Sequence, residues 1–241
     1  MLAPMREALA RDAAGYGVTL GERQLDQFER YAALLREWSE RANLVADAGS
    51  EMVRTRHFGE SIALGAALRE RAMLRPASSV IDVGTGAGFP GMVLKIAWPG
   101  LRVALLEATG KKTAFLRALA DALDLQDVQV LTGRAEDLAH DPSLREQFDL
   151  AVARAVGPLP ALLELTVPFV RAGGRAALPK GSRARAEVEA AAGAASTLGV
   201  KLLTVPFHVP GHSQTLVIAV KQRPTPAAYP RRAGVPRKHP L

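Results

Sequence analysis

Residues 82–91 read DVGTGAGFPG, and the apolar residues Val80 and Ile81 stand immediately before this glycine-rich stretch. Glycines at the end of a strand let the backbone approach a ligand closely. In α/β sheets, ligands bind at the carboxyl ends of the strands. The stretch therefore predicts a strand, a ligand-binding loop and a helix, in that order.

Two phosphate-binding motifs can be compared with this loop, and neither fits. The dinucleotide fingerprint G-x-G-x-x-G requires a third glycine where Phe89 stands, and Pro90 lacks the backbone N–H that a pyrophosphate would use. Further on, residues 109–113 read TGKKT, but Leu105 occupies the position of the first glycine of a Walker loop. A nicotinamide oxidoreductase is therefore disfavoured. The loop favours a nucleoside ligand without phosphate, of which S-adenosylmethionine (SAM) is the common example.

The chain around this loop alternates between short apolar runs and helical stretches. The runs lie at 80–83, 103–106, 128–131, 150–153 and 175–178, and helical stretches fall at about 90–98, 112–124, 158–170 and 183–198. Such alternation predicts a parallel sheet with helices on both faces. Residues 201–205 and 215–220 are joined by a Pro-Gly-containing loop without a helix, which predicts an antiparallel pair at one edge. The expected fold class is α/β, a doubly wound Rossmann-like sheet of the SAM-dependent methyltransferase type.

A helical cap is predicted before the sheet. Leu25, Phe28, Ala32 and Leu35 recur at helical spacing, and residues 19–22 (TLGE) predict a capping box at the start of that helix. A second helix is expected at about 57–74. The chain is thus divided into a cap at 1–75, a methyltransferase domain at 76–222 and a Pro-rich tail at 223–241, which we expect to wrap around the body or hang free from it.

Composition excludes several classes of protein. The 241 residues are 48% hydrophobic and 23% charged, which is typical of a globular chain. The absence of cysteine excludes disulfides, cysteine metal sites and thiolate nucleophiles. No apolar run of about 18 residues predicts a membrane span, and the N-terminus does not resemble a signal peptide. We therefore expect a cytoplasmic protein that binds no metal and no membrane.

The positive charge is concentrated at one end of the chain. Residues 221–241 hold six basic side chains and no acidic one, whereas the remainder holds 25 basic and 24 acidic residues. A basic arm on a nearly neutral body predicts a polyanionic partner, for which nucleic acid is favoured over a membrane surface.

Two further stretches extend the predicted cofactor site. Glu107 ends the second strand, where a carboxylate can accept hydrogen bonds from both ribose hydroxyls. Residues 133–137 (GRAED) follow the third strand, where an adenine ring would lie. Alone, Glu107 would be interpreted as a solvated acid, and Glu136 or Asp137 could merely cap a short helix. Together with the glycine loop, they predict a methyltransferase-type cofactor site.

Several stretches in order resemble the RsmG (GidB) family of 16S rRNA guanine-N7 methyltransferases. The similar stretches are DVGTGAGFPG at 82–91, Glu107-Ala108 with Lys111-Lys112 and Phe115-Leu116, GRAE at 133–136, DLAVARA at 149–155, PKG at 179–181, Asn43-Leu44, Arg56-His57 with Ser61, and YPRRAGVP at 229–236. The resemblance departs at Glu60, where family members usually carry Asp.

The resemblance implies a cofactor, a substrate and a set of contacts. The implied cofactor is SAM, with S-adenosylhomocysteine as product, and the implied cofactor-binding residues are Gly84, Phe89, Glu107, Ala108, Thr109, Ala135, Glu136 and Arg154. The implied substrate is a guanosine in the decoding-region loop of 16S rRNA, conventionally nucleotide 527. The partner would be 16S rRNA or a small-subunit precursor, and we expect a monomer.

The chemistry of the residues agrees with guanine N7 as the target atom. Amino-group methyltransferases use an Asp/Asn-Pro-Pro-Tyr clamp after the fourth strand, whereas residues 153–158 read ARAVGP. Guanine N7 carries an available lone pair and no proton, so methyl transfer requires alignment rather than a general base. Accordingly, no catalytic residue is assigned. Candidate RNA contacts are Arg154, Lys180, Arg231, Arg232, His57 and Asn43.

Two other functions remain open at this point. A small-molecule SAM methyltransferase would also lack the amino-group clamp, and its basic tail would be incidental. A ribosome-assembly module that binds RNA without catalysis would retain the same fold.

Overall fold

A seven-stranded mixed sheet forms the centre of the molecule. The computed structural model describes residues 3–154, 157–209 and 212–241. The strands are β1 (Ser79–Val83), β2 (Arg102–Glu107), β3 (Val128–Thr132), β4 (Phe148–Val152), β5 (Val170–Lys180), β6 (Val200–Val209) and β7 (His212–Lys221). Their order in the sheet is β3-β2-β1-β4-β5-β7-β6. Strands β1 to β5 pair in parallel and β6 and β7 are antiparallel, which confirms the predicted fold class.

Helices cover both faces of this sheet. They are α1 (Ala3–Gly15), α2 (Glu22–Ala42), α3 (Ser50–Met52), a π-helix (Val53–Gly59), α4 (Glu60–Glu70), α5 (Gly91–Ala97), α6 (Gly110–Ala122), α7 (Ala135–Leu138), α8 (Leu159–Thr166), a 3₁₀ turn (Val167–Phe169), α9 (Ala184–Ala190), α10 (Ala192–Leu198) and α11 (Val235–Lys238). Within the described ranges, no helix is long and apolar enough to cross a membrane.

Alternation along the strands divides the core into two layers. Val80 and Leu105 join the layer formed with the N-terminal helices, α5 and α6. Ile81 and Ala104 face the opposite layer, which contains α8 and α10. Because both faces are covered, the strands are apolar along their whole length rather than at every second residue. This explains why the sequence shows them as continuous runs.

The predicted apolar stripe of α2 is buried, but its start differs from the prediction. Leu25, Phe28, Ala32 and Leu35 are all in the core. The capping box predicted at 19–22 is wrong: α2 begins at Glu22, and the backbone N–H of Gly21 donates to Oε1 of Gln24 at 2.8 Å. Gln24, three residues beyond Gly21, therefore takes the role predicted for Glu22, whereas Gly21 has no side chain to take the role predicted for Thr19.

Strand order reverses between β1 and β4, and this position determines where a ligand can bind. β1 pairs with β2 on one side and β4 on the other, so the helices that follow β1 and β4 lie on opposite faces. At such a reversal in an α/β sheet, the loops at the carboxyl ends of the strands generally leave a crevice for a ligand. The glycine-rich stretch forms the loop after β1.

Candidate functional site

The loop after β1 is fixed by hydrogen bonds to a buried carboxylate. Oδ2 of Asp82 accepts hydrogen bonds from the Gly91 backbone at 2.7 Å and from the Thr85 hydroxyl at 2.6 Å. Burial raises the pKa of Asp82 to about 6, and the two hydrogen bonds oppose this shift. Among the described residues, Oδ1 of Asp82 has no hydrogen-bond partner although it is buried. The loop thus keeps one unused buried acceptor beside the crevice.

Glycine is required in this loop for two different reasons. Gly86 has a φ of +61°, and a Cβ built there would meet nothing within 4 Å, so this backbone borders open space. Gly88 has a φ of +99°, and a Cβ there would stand 2.6 Å from the hydroxyl of Tyr31. Both values lie where residues with a side chain are strained. The loop is therefore open toward the cleft and tightly packed toward α2.

Glu107 joins the loops that follow β1 and β2. Its Oε2 accepts from the Gly86 backbone at 3.1 Å, and its Oε1 accepts from the Thr109 backbone at 2.9 Å. The side chain is nearly buried. A carboxylate oxygen has more than one acceptor site, so each oxygen can still accept a hydroxyl hydrogen. This is the geometry that the predicted ribose contact requires.

A cleft of about 360 Å³ opens at the carboxyl ends of β1, β2 and β3. Seven of the eight predicted cofactor residues line it: Gly84, Glu107, Ala108, Thr109, Ala135, Glu136 and Arg154. It is also lined by Lys112, Arg134, Leu165 and Arg237, which were not predicted to contact the cofactor. The eighth predicted residue, Phe89, is buried beside the cleft rather than among its described lining residues.

Phe89 belongs to an aromatic stack that reaches the edge of the cleft. The His57 ring lies 4.6 Å from the Phe89 ring with 8° between the planes, and Tyr31 is also parallel to Phe89 at 5.4 Å. The guanidinium of Arg154 lies 5.7 Å from the Phe89 ring centre. Phe89 therefore supports Arg154, which does line the cleft.

Arg154 is held by the π-helix that precedes α4. It donates from Nη1 to the Arg56 carbonyl oxygen at 2.7 Å, and the same nitrogen lies 3.4 Å from Oε2 of Glu60. Its Nη2 lies 3.2 Å from Nδ1 of His57. An arginine can only donate, so Nδ1 of His57 is the acceptor. Glu60, where members of the resembled family usually carry Asp, therefore keeps a carboxylate beside Arg154.

The electrostatics of this cluster favour a neutral histidine. Burial and, to a smaller extent, the charges of Arg154 and Arg56 together lower the pKa of His57 to about 4. Burial also lowers the pKa of Arg154, while Glu60 and Asp82 oppose that shift. At neutral pH, His57 is thus an uncharged acceptor that orients Arg154. Its predicted RNA contact stays a prediction.

Two of the other predicted RNA-contact residues have structural partners, and a third has a structural role at the end of a helix. Lys180 is nearly buried, with Nζ 2.7 Å from Oε2 of Glu187 and 2.8 Å from the Gly157 carbonyl oxygen. Asn43 ends α2 in the left-handed conformation, which asparagine tolerates well. Arg231 pairs with Glu164, at 2.6 Å between Nη2 and Oε2. Arg232 is exposed. None of these four is among the described residues that line the cleft.

The tail wraps around the body, which is one of the two arrangements that the sequence left open for it. The Arg145 guanidinium donates to the carbonyl oxygens of Thr225 and Tyr229, at 2.8 and 2.9 Å. Nε2 of His140 lies 2.9 Å from the Pro230 carbonyl oxygen. Sequence reasoning missed the most important anchor, Glu164, although a lone acid inside the apolar run LPALLELT is a signal that a buried partner exists.

Besides residues 1–2, two short internal stretches lie outside the described residues. Ala155 and Val156 fall in the stretch where no amino-group clamp is predicted and within the DLAVARA resemblance. Pro210 and Gly211 belong to the predicted loop between β6 and β7. In the remaining residues, no group of three or more histidine, aspartate or glutamate side chains could hold a metal ion.

The site is suited to a nucleoside cofactor such as SAM. Glu107 retains acceptor capacity for ribose hydroxyls, Gly86 leaves its side-chain position open, and Oδ1 of Asp82 is a buried acceptor without a partner in the described structure. These three observations lie at the same end of the sheet. The residues present therefore match the group that the sequence predicts.

Comparisons with known proteins agree with this geometry. A family model described as GidB, rRNA small subunit methyltransferase G, matches residues 24–217. The ribosomal RNA small subunit methyltransferase G of Roseiflexus sp. (strain RS-1) is 46% identical over 237 residues, which cover 98% of this chain and 99% of the relative.

Solved structures share the fold at low sequence identity. M. jannaschii TYW2 in complex with AdoMet has a TM-score of 0.50 and 18% identity, covering 66% of this chain and 76% of its own. Precorrin-6y C5,15-methyltransferase from Geobacter metallireducens GS-15 has a TM-score of 0.50 and 13% identity, covering 65% and 88%. These likenesses concern the fold alone.

Proposed function

Because this chain belongs to the rRNA small subunit methyltransferase G (GidB) family, we propose that it methylates N7 of one guanosine in 16S rRNA, using SAM as the methyl donor. The target is the guanosine conventionally numbered 527 in the decoding-region loop. Membership in the family is the premise, whereas the cofactor contacts, the base and the atom are the proposal.

One observation supports the cofactor assignment most strongly. Glu107 lines the cleft and bridges the loops after β1 and β2 through the Gly86 and Thr109 amides, and each of its oxygens keeps unused acceptor capacity. In this arrangement the ribose would bind to Glu107, and the adenine would lie against Ala135 and Glu136. The methionine end would then lie beside Gly84 and Arg154, which line the same cleft.

The reaction requires alignment more than proton transfer. When bound, SAM supplies a methyl group on a sulfonium. The N7 lone pair would form the new N–C bond as the C–S bond breaks, and the sulfur would keep the electron pair of that bond, giving S-adenosylhomocysteine. No proton is removed from N7, so no general base is needed. This agrees with a cleft whose histidine neighbour, His57, is occupied in orienting Arg154.

Arg154 is proposed as a positioning contact at the methionine end of the cleft. Its guanidinium is fixed by the Arg56 carbonyl oxygen, Glu60 and His57, so little conformational entropy remains to be lost on binding. The nearby carboxylate of Glu60 offsets its charge, which moderates repulsion with the positive sulfonium. Direct contact of Arg154 with the RNA remains part of the proposal.

The remaining parts of the proposal concern the partner and the setting. The basic residues of the tail would contact rRNA phosphates, with exposed Arg232 better placed than the paired Arg231. We propose a monomer that acts in the cytoplasm on 16S rRNA or on a precursor of the small subunit.

Transfer of a tritiated methyl group tests this function. The wild-type chain should label 16S rRNA or 30S particles taken from cells that lack the modification, and it should not label 23S rRNA. Absence of label on 16S rRNA and on 30S particles, despite SAM binding shown by calorimetry, would contradict the proposal and favour a small-molecule substrate or a binding-only role.

A further inference from the structure

The C-terminal segment, residues 223–241, is attached to the body by a buried ion pair. Glu164 of α8 is fully buried, and among the described residues its hydrogen-bond partners all belong to Arg231. The backbone N–H of Arg231 donates at 2.7 Å, Nε at 2.9 Å and Nη2 at 2.6 Å. A buried carboxylate must be paired. The segment therefore has a fixed position on α8.

A second attachment joins the segment to the wall of the cleft. The backbone N–H of Gly234 donates to Oε1 of Glu136 at 2.9 Å. Glu136 stands in the first turn of α7 and lines the cleft next to Ala135. The segment is thus fixed to the side of the cleft where the adenine is proposed to lie.

These attachments bring Arg237 to the cleft. Arg237 is in α11, three residues beyond Gly234, and Pro236 beside it is buried. Arg237 lines the cleft together with Ala135, Glu136 and Leu165. Arg237 and the neighbouring basic residue Lys238 are both exposed, but Lys238 is not among the described lining residues. Position in the structure therefore separates two tail cations that the sequence alone does not distinguish.

We infer that Arg237 is a cofactor-binding residue that contacts the adenine of SAM from the tail. The inference rests on the proposed function, because it assumes the orientation of SAM given above. A guanidinium is planar, is weakly hydrated and can stack on a π system or donate to ring nitrogens, as an adenine requires. The C-terminal segment is therefore one wall of the cofactor site, in addition to any contact that it makes with rRNA.

Calorimetric titration of the full-length chain with SAM, in the absence of RNA, tests this inference. Arg237→Ala should weaken SAM binding by about 3- to 30-fold, the range between a cation–π contact at an exposed site and one that is desolvated. Lys238→Ala, in the same helix, should bind SAM as the wild type does. Arg237→Lys should recover only part of the loss, because it restores charge without the planar group.

Two ligands locate the contact within the cofactor. 5′-Methylthioadenosine contains the adenosine of SAM but lacks its amino-acid end. Arg237→Ala should weaken binding of SAM and of 5′-methylthioadenosine by the same factor. A loss confined to SAM would overturn the inference by assigning Arg237 to the methionine carboxylate.

The outcomes separate this inference from the proposed function. If the wild type does not bind SAM, both fail. If the wild type binds SAM and Arg237→Ala binds it equally well, only the inference fails, and weaker rRNA binding by that variant would make Arg237 an RNA contact. A melting temperature close to that of the wild type would show that the variant retains its fold.

Discussion

Replacing Arg231 by alanine tests whether the tail is an integral part of the fold. Glu164 is 0% exposed, and Arg231 supplies a backbone N–H and two guanidinium nitrogens to its carboxylate. Alanine keeps the backbone donor and removes the guanidinium. Removing one partner of a buried ion pair costs about 3–5 kcal/mol. Because the Arg231 side chain is 28% exposed, we expect the lower end of that range.

The assay is unfolding by heat and by urea, without SAM, because a bound ligand would raise the apparent stability. A loss of about 3 kcal/mol corresponds to a fall of about 6–12 °C in melting temperature for a chain of this size. Arg232→Ala is the matched control, since its exposed side chain should change stability by less than about 0.5 kcal/mol. Replacing both Arg231 and Glu164 by methionine should recover most of the loss, because no unpaired charge remains.

Equal melting temperatures for Arg231→Ala and Arg232→Ala would refute this reasoning. The result also bears on truncation experiments. Deleting residues 223–241 removes the partners of Glu164, Glu136 and Arg145 together, so reduced activity of a truncated chain does not by itself show RNA binding. Point substitutions of exposed residues such as Arg232 are the more informative test.

Three further predictions concern the cleft. Glu107→Ala should weaken SAM binding by about tenfold or more, because it removes the ribose acceptor and releases two loop amides. Its affinity for rRNA should hardly change, and a SAM affinity equal to that of the wild type would contradict the ribose assignment. His57→Ala should raise the KM for SAM by loosening Arg154, and a change confined to the KM for rRNA would instead support an RNA contact. Burial raises the pKa of Asp82 to about 6, so the folded state retains a proton that the unfolded chain releases above about pH 4. Ionisation of Asp82 therefore lowers the free energy of unfolding as pH rises from about 4 to 6. Over that window, the free energy of unfolding of Asp82→Asn should gain about 2 kcal/mol relative to that of the wild type. A difference between the two chains in urea unfolding that does not change with pH would contradict this assignment.

The sequence predicts the sheet and the cleft because their causes are local. Strands buried on both faces are apolar throughout, and the glycine loop must follow the strand whose end it forms. Glu107 is predictable for the same reason, since the carboxyl ends of neighbouring parallel strands lie together. Seven of the eight predicted cofactor residues indeed line one cleft.

The features that sequence reasoning missed depend on distant partners. Arg231 and Glu164 are 67 positions apart, and nothing near either residue identifies the other. Lys180 resembles a phosphate contact until the fold places Glu187 at 2.7 Å. The π-helix at Val53–Gly59 presents the Arg56 carbonyl oxygen to Arg154, whereas the sequence predicts an ordinary helix that begins only at about residue 57.

The position of the transferred methyl group tests the central claim most directly. After incubation of wild-type protein with labelled SAM and unmodified 30S particles or 16S rRNA, the label should be recovered as 7-methylguanosine from a single guanosine in the decoding-region loop. Label on an exocyclic amine, on another base or on 23S rRNA would contradict the proposed reaction.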